Sequence, residues 1–89
     1  MPKIEKEIQI KNPQGLHARP AAMFVQIASK YNSNVTISKG QERVNGKSIL
    51  GILTLGAQEN CMITLEVDGE DASELLKELE ILLSNKEIR

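Results

Sequence analysis

The feature that most limits how this chain can fold is a set of apolar side chains near its C-terminal end: Ala72, Leu75, Leu76, Leu79, Leu82 and Leu83. Their spacing places all six on one side of an α-helix, and Asp71 stands where that helix would be capped. A stripe this broad is stable in water only when a second layer covers it. With 89 residues the chain can build one small core, so the remaining segments must supply that cover.

Several of those segments have the period of two expected of strands with one wet face. Ile4, Lys6, Ile8 and Ile10 share one side of an extended stretch, and Glu5, Glu7 and Gln9 point the other way. Val35, Ile37 and Lys39 alternate with Thr36 and Ser38. A hairpin turn at Lys39-Gly40-Gln41-Glu42 leads to a short strand, Arg43-Val44-Asn45. Residues 62–67 set Ile63, Leu65 and Val67 against Met62, Thr64 and Glu66. Residues 18–30 read as a helix with Ala21, Val25 and Ala28 on one face, extended by Phe24 and Tyr31. Pro20 falls in its first turn, where a missing N–H is tolerated, and Asn32-Ser33-Asn34 ends it. Residues 48–55 predict a short helix capped by Ser48 and stopped by Gly56.

The order is β-α-β-β-α-β-α. The first strand, first helix and second strand form a unit with an expected right-handed crossover and room for a strand between the two. The expected fold is an α+β open-faced β-sandwich: a four-stranded antiparallel sheet with three helices on one face, the other face staying wet. No linker or repeat divides the sequence, so residues 1–89 are expected to form a single domain.

Composition removes several functions. A net charge of −1 speaks against a general nucleic-acid binder, which needs clustered cations. Phe24 and Tyr31 are the only aromatic residues, too few for a base-stacking platform. Cys61 is the single cysteine; it can form no internal disulfide and reads as a half-buried strand residue. No leader and no apolar stretch of membrane-spanning length is visible, which predicts a cytoplasmic protein that does not insert into membranes.

Among the polar residues, His17 carries the most chemistry. It is the only histidine, and it lies between the turn Asn12-Pro13-Gln14-Gly15 and the first residue of a helix. A helix N-terminus exposes unpartnered N–H groups and favours anions, phosphate above all. A neutral imidazole can attack a phosphoryl group, and the anion it acquires then sits on that helix end. Arg19 can offer a guanidinium to the transferring oxygens, and Gly15 lets the backbone bend sharply. A lone histidine at a helix start is also a common surface residue, and Arg19 alone can be a solvated charge, so physics leaves both readings open. No metal site is expected, because no second His or Cys cluster exists to complete one.

Two runs carry a resemblance. Gly15-Leu16-His17-Ala18-Arg19-Pro20-Ala21 resembles the active-site signature of the HPr family, the histidine-containing phosphocarriers of the bacterial phosphoenolpyruvate-dependent sugar phosphotransferase system. Val44-Asn45-Gly46-Lys47-Ser48-Ile49-Leu50-Gly51-Ile52-Leu53-Thr54-Leu55-Gly56 resembles the family's second signature, and the element order is HPr-like over nearly the whole chain. The resemblance implies that His17 takes a phosphoryl group on Nδ1 from enzyme I and gives it to the IIA domain of a sugar permease, with Arg19 beside it. It implies a carrier rather than an enzyme, a monomer, and no cofactor. Ser48 matches a regulatory serine phosphorylated by HPr kinase/phosphorylase, a form that can bind a catabolite-control regulator; Ser48 is also explained as a cap. Ile49, Leu50 and Leu53 match a docking patch, to which Arg19 and Lys47 would add a basic rim. Gly46 departs from the bulkier residue common in relatives and is expected to loosen the turn into the helix. Three rivals remain: a regulatory paralogue lacking the active histidine, a nitrogen-related phosphocarrier, and a ferredoxin-like module with a small-molecule pocket.

Overall fold

The computed structural model describes residues 3–85. Its elements are β1 (Lys3–Gln9), α1 (Ala18–Ser29), β2 (Asn34–Lys39), β3 (Glu42–Asn45), α2 (Ile49–Leu55), β4 (Met62–Asp68) and α3 (Ala72–Ser84). The strands form one antiparallel sheet in the order β1-β4-β2-β3. β4 therefore fills the gap between β1 and β2, pairing Ile8 with Ile63 on one side and Ile37 with Leu65 on the other.

Alternation decides which face meets the helices. Ile8, Val35, Ile37, Ile63, Leu65 and Val67 are buried together with the α3 stripe Ala72, Leu75, Leu76, Leu79, Leu82 and Leu83. Lys6 shares the covered side, as its register requires, and reaches the rim of α3, where its ammonium pairs with Glu80 at 2.6 Å. On the opposite face Glu66 lies between Lys3 and Arg43, at 3.3 and 3.5 Å. Such surface pairs contribute little to stability, and the sheet is held by the apolar layer.

Two expectations about the helices are corrected. α1 buries Pro20, Ala21, Phe24 and Ala28, whereas Val25 is only half-buried, so the core face is turned slightly from the one read off the spacing. Asp71 occupies the cap position of α3 but its side chain makes no cap bond. Its carboxylate instead accepts from the backbone N–H of Asn32 and Ser33, at 2.9 and 3.0 Å, and from the Ser33 hydroxyl. It thereby closes the α1–β2 connection onto the start of α3, and these bonds, led by the Ser33 hydroxyl, hold its pKa below the ordinary value.

Candidate functional site

The segment before His17 is tied down at every step. β1 continues into Ile10, whose N–H donates to Cys61 O at 2.9 Å, and Lys11 N–H donates to Leu83 O at 2.9 Å. Gly15 then turns with φ 63°, and a Cβ there would lie 2.6 Å from Ala57 O and 2.8 Å from Gln58 Cα, so both the angle and the space require glycine. Leu16 is fully buried and its N–H donates to Ala57 O at 2.8 Å. His17 follows as the N-cap residue of α1, extended at φ −87° and ψ −165°, with its carbonyl accepting from Ala21 N–H at 2.8 Å.

The imidazole itself is exposed and makes no cap bond. Arg19, in the first turn of α1, is also exposed, and among the described residues its guanidinium has no acidic partner. No acidic residue stands in that turn to neutralise the helix end. Pro20 has no N–H, so the amides of Ala18 and Arg19 are the donors left facing outward beside the ring. The result is an exposed imidazole at a helix N-terminus, with the exposed Arg19 guanidinium in the same turn. Among the described residues no group of His, Cys, Asp and Glu could hold a metal ion, and no helix is long and apolar enough to cross a membrane.

α2 runs antiparallel to α1. At one end Lys47 Nζ donates to Tyr31 O at 2.7 Å; at the other Ala57 receives the Leu16 bond. Ser48 caps α2 as expected, its Oγ accepting from Gly51 N–H at 3.1 Å, and Gly56 ends it at φ 64°. Such a cap contributes about 1 kcal/mol. The apolar residues of α2 divide cleanly. Ile52 and Leu55 are in the core, while Ile49, Leu50 and Leu53 are 43%, 72% and 40% exposed. These three share one face and form an apolar surface on the helix that links the Ser48 end to the His17 end, a length of about 10 Å from seven residues of helical rise.

One reading of this region changes, that of Gly46. Lys47 and Arg19 stand at opposite ends of α1, about 18 Å apart by helical rise. Gly46 does not loosen the turn. It is buried, its N–H donates to Val35 O at 2.8 Å, and a Cβ there would lie 2.4 Å from Val35 Cγ1 and 3.2 Å from Phe24 Cε1. Asn12, by sequence a turn residue, is 2% exposed and bonded on both sides of its amide. The Asn-Pro start of the turn was the available signal.

A family model described as the PTS HPr component phosphorylation site matches residues 4–85. The chain is similar to the phosphocarrier protein HPr of Neisseria meningitidis, at 42% identity over 81 residues and 91% of each chain. It is similar to the HPr-like protein Crh of Halalkalibacterium halodurans, at 41% identity over 76 residues, 85% of this chain and 90% of that one. A crystal structure of phosphocarrier protein HPr from Bacillus anthracis superposes with a TM-score of 0.88 and 40% identity, covering 91% of this chain and 96% of that one.

Proposed function

The chain belongs to the HPr family of phosphotransferase-system phosphocarriers, and from that premise we propose that His17 is its phosphoryl acceptor, charged by phospho-enzyme I and discharged to the IIA domain of a sugar permease. The observation that carries this reading is the exposed imidazole at the N-cap of α1, making no cap bond, with Arg19 in the same turn and without an acidic partner among the described residues. In the transfer a ring nitrogen of His17, Nδ1 by family resemblance, attacks phosphorus. The bond from phosphorus to the donor breaks and its electron pair stays with the donor. The Ala18 and Arg19 amides and the Arg19 guanidinium bind the phosphoryl oxygens, and the reverse sequence delivers the group to the next acceptor. The His17 side chain is exposed, and in this reading the partner protein supplies the other half of the reaction centre. This suits a carrier, which must meet several proteins briefly.

Ile49, Leu50 and Leu53 form the docking surface in this reading, with Arg19 at one end and Lys47 at the other. Ser48, half-buried at the start of α2, is the regulatory phosphorylation site for HPr kinase/phosphorylase. A phosphate there would add about two negative charges beside the docking surface and oppose the approach of enzyme I. The similarity to Crh, an HPr-like protein, supports a link to a catabolite-control regulator. The presence of His17 favours the carrier over the regulatory paralogue. The protein works in the cytoplasm as a single-domain monomer.

Labelled phosphoenolpyruvate with enzyme I tests the acceptor. The parent chain takes up one acid-labile, alkali-stable phosphoryl group and His17→Ala takes up none; stoichiometric label on the variant refutes the assignment. Incubation with HPr kinase and ATP, read by intact mass, tests Ser48: a phosphate on the parent and none on Ser48→Ala is expected, and an unchanged parent mass leaves Ser48 a cap alone.

A further inference from the structure

We propose that Asn12 is a positioning residue for phosphoryl transfer, setting the peptide plane that leads into His17. This inference rests on the reading of His17 as the acceptor. Asn12 is five residues before the histidine and 2% exposed, one of two buried polar residues among those described, the other being Ser33. Burying an amide is costly unless both its halves are bonded, and here both are. Nδ2 donates to Gly15 O at 2.8 Å and Oδ1 accepts from Gln14 N–H at 3.3 Å, while the Asn12 carbonyl accepts from Gly15 N–H at 2.9 Å. One residue thus closes the loop, its side chain holding Gly15 O and its main-chain carbonyl holding Gly15 N–H.

The bond to Gly15 O carries most of the argument. That oxygen belongs to the Gly15–Leu16 peptide, so Asn12 fixes its plane. The N–H of the same peptide, on Leu16, is held by Ala57 O at 2.8 Å. These two restraints set the direction in which the backbone enters His17. Among the described residues the ring makes no cap bond and no hydrogen bond to another side chain. The point from which the imidazole projects beside the Ala18 and Arg19 amides is therefore set by the backbone. A purely apolar residue could fill the space at position 12, but it could not hold the Gly15 carbonyl. Its loss would leave the Gly15–Leu16 peptide held only at its N–H, able to tilt about that one bond, and small misplacements of a reacting group cost large factors in rate.

The test compares the parent with Asn12→Ala and Asn12→Ser as acceptors for enzyme I and phosphoenolpyruvate, at a temperature where circular dichroism shows each folded. Serine can still accept from Gln14 N–H but is too short to reach Gly15 O, so it separates turn formation from peptide positioning. The expected result is a fall in kcat of about tenfold to a hundredfold in both variants, with KM changed by less than about twofold because the α2 surface is untouched. The chemical lifetime of the phosphohistidine should shorten in parallel, a readout that a merely structural residue would not move. If Asn12→Ala fails to fold, Asn12→Ser carries the comparison alone. A folded variant whose kcat stays within about twofold of the parent overturns the proposal. Failure of the underlying reading looks different: the parent takes no label, or His17→Ala keeps it.

Discussion

A methyl group at position 46 tests the packing that seats α2 against α1. In Gly46→Ala the new Cβ would lie 2.4 Å from Val35 Cγ1 and 2.8 Å from Val35 Cβ. The second contact cannot be relieved by a rotamer change, because Cβ is fixed to the β2 backbone. Nor can position 46 simply back away, since its N–H donates to Val35 O at 2.8 Å. Overpacking of this kind costs about 1–3 kcal/mol, and a stretched backbone bond adds about 1 kcal/mol. Alanine also restricts the unfolded chain, which returns about 0.4–1 kcal/mol. The net loss is about 2 kcal/mol, or a fall in Tm of about 8–16 °C for a chain of this size. Val35→Ala removes the Cγ1 atom and leaves a cavity, itself costing about 2 kcal/mol. In the double variant the new methyl occupies part of that cavity, so the two losses should fall short of their sum by about 1 kcal/mol. Urea unfolding of the four proteins, followed by circular dichroism, measures this cycle. A Gly46→Ala midpoint equal to the parent's, or strict additivity in the double variant, would refute the packing argument.

Further outcomes follow from other parts of the molecule. Leu50 is 72% exposed, so Leu50→Ala should change stability by less than about 0.5 kcal/mol yet raise the KM of enzyme I for the chain; an unchanged KM would remove Leu50 from the docking surface. Tyr31 is the sole tyrosine, and its hydroxyl donates to the Glu78 carboxylate, which together with burial and nearby acids raises its pKa from 10.0 to about 12. The stability from this pairing is whole below pH 10.0 and is lost as pH rises toward about 12. Phenolate absorbance should therefore rise late in the parent and earlier in Glu78→Gln; a parent midpoint at the ordinary value would contradict the contact. Asp71 shows the opposite sign: its lowered pKa means its contribution is present above the ordinary value of 3.8 and disappears as pH falls through the lower native value. Asp71→Asn should be less stable at neutral pH and lose less on acidification, and equal acid dependence in the two proteins would exclude Asp71 as a source.

Much of this protein was legible in the sequence because its elements are set by local periodicity and local chemistry. The α3 stripe and the alternation in β1, β2 and β4 reappear in the structure, and Ser48 and Gly56 bound α2 where expected, since a cap and a stop act on neighbouring backbone. The signature around His17 carried the family, and the family model and relatives bear that resemblance out. Asp71 could be read as a cap but not as the clasp on Asn32 and Ser33, because that bond joins residues far apart in the chain. The same holds for Lys47. Its ammonium is placed by the antiparallel run of α2 beside α1, so its distance from Arg19 exists only in the folded molecule. Gly46 illustrates the difference most sharply: one residue at a time, a glycine there suggests looseness, but Val35 and Phe24 pack so closely on it that it is a point of tight contact. Sequence alone determined what His17 is able to do, through its chemistry and its place at a helix start. Only the tertiary structure decided how the loop before it is held, because the restraints on that loop come from Leu83, Ala57 and Cys61, far along the chain, meeting the Asn12 clasp at Gly15.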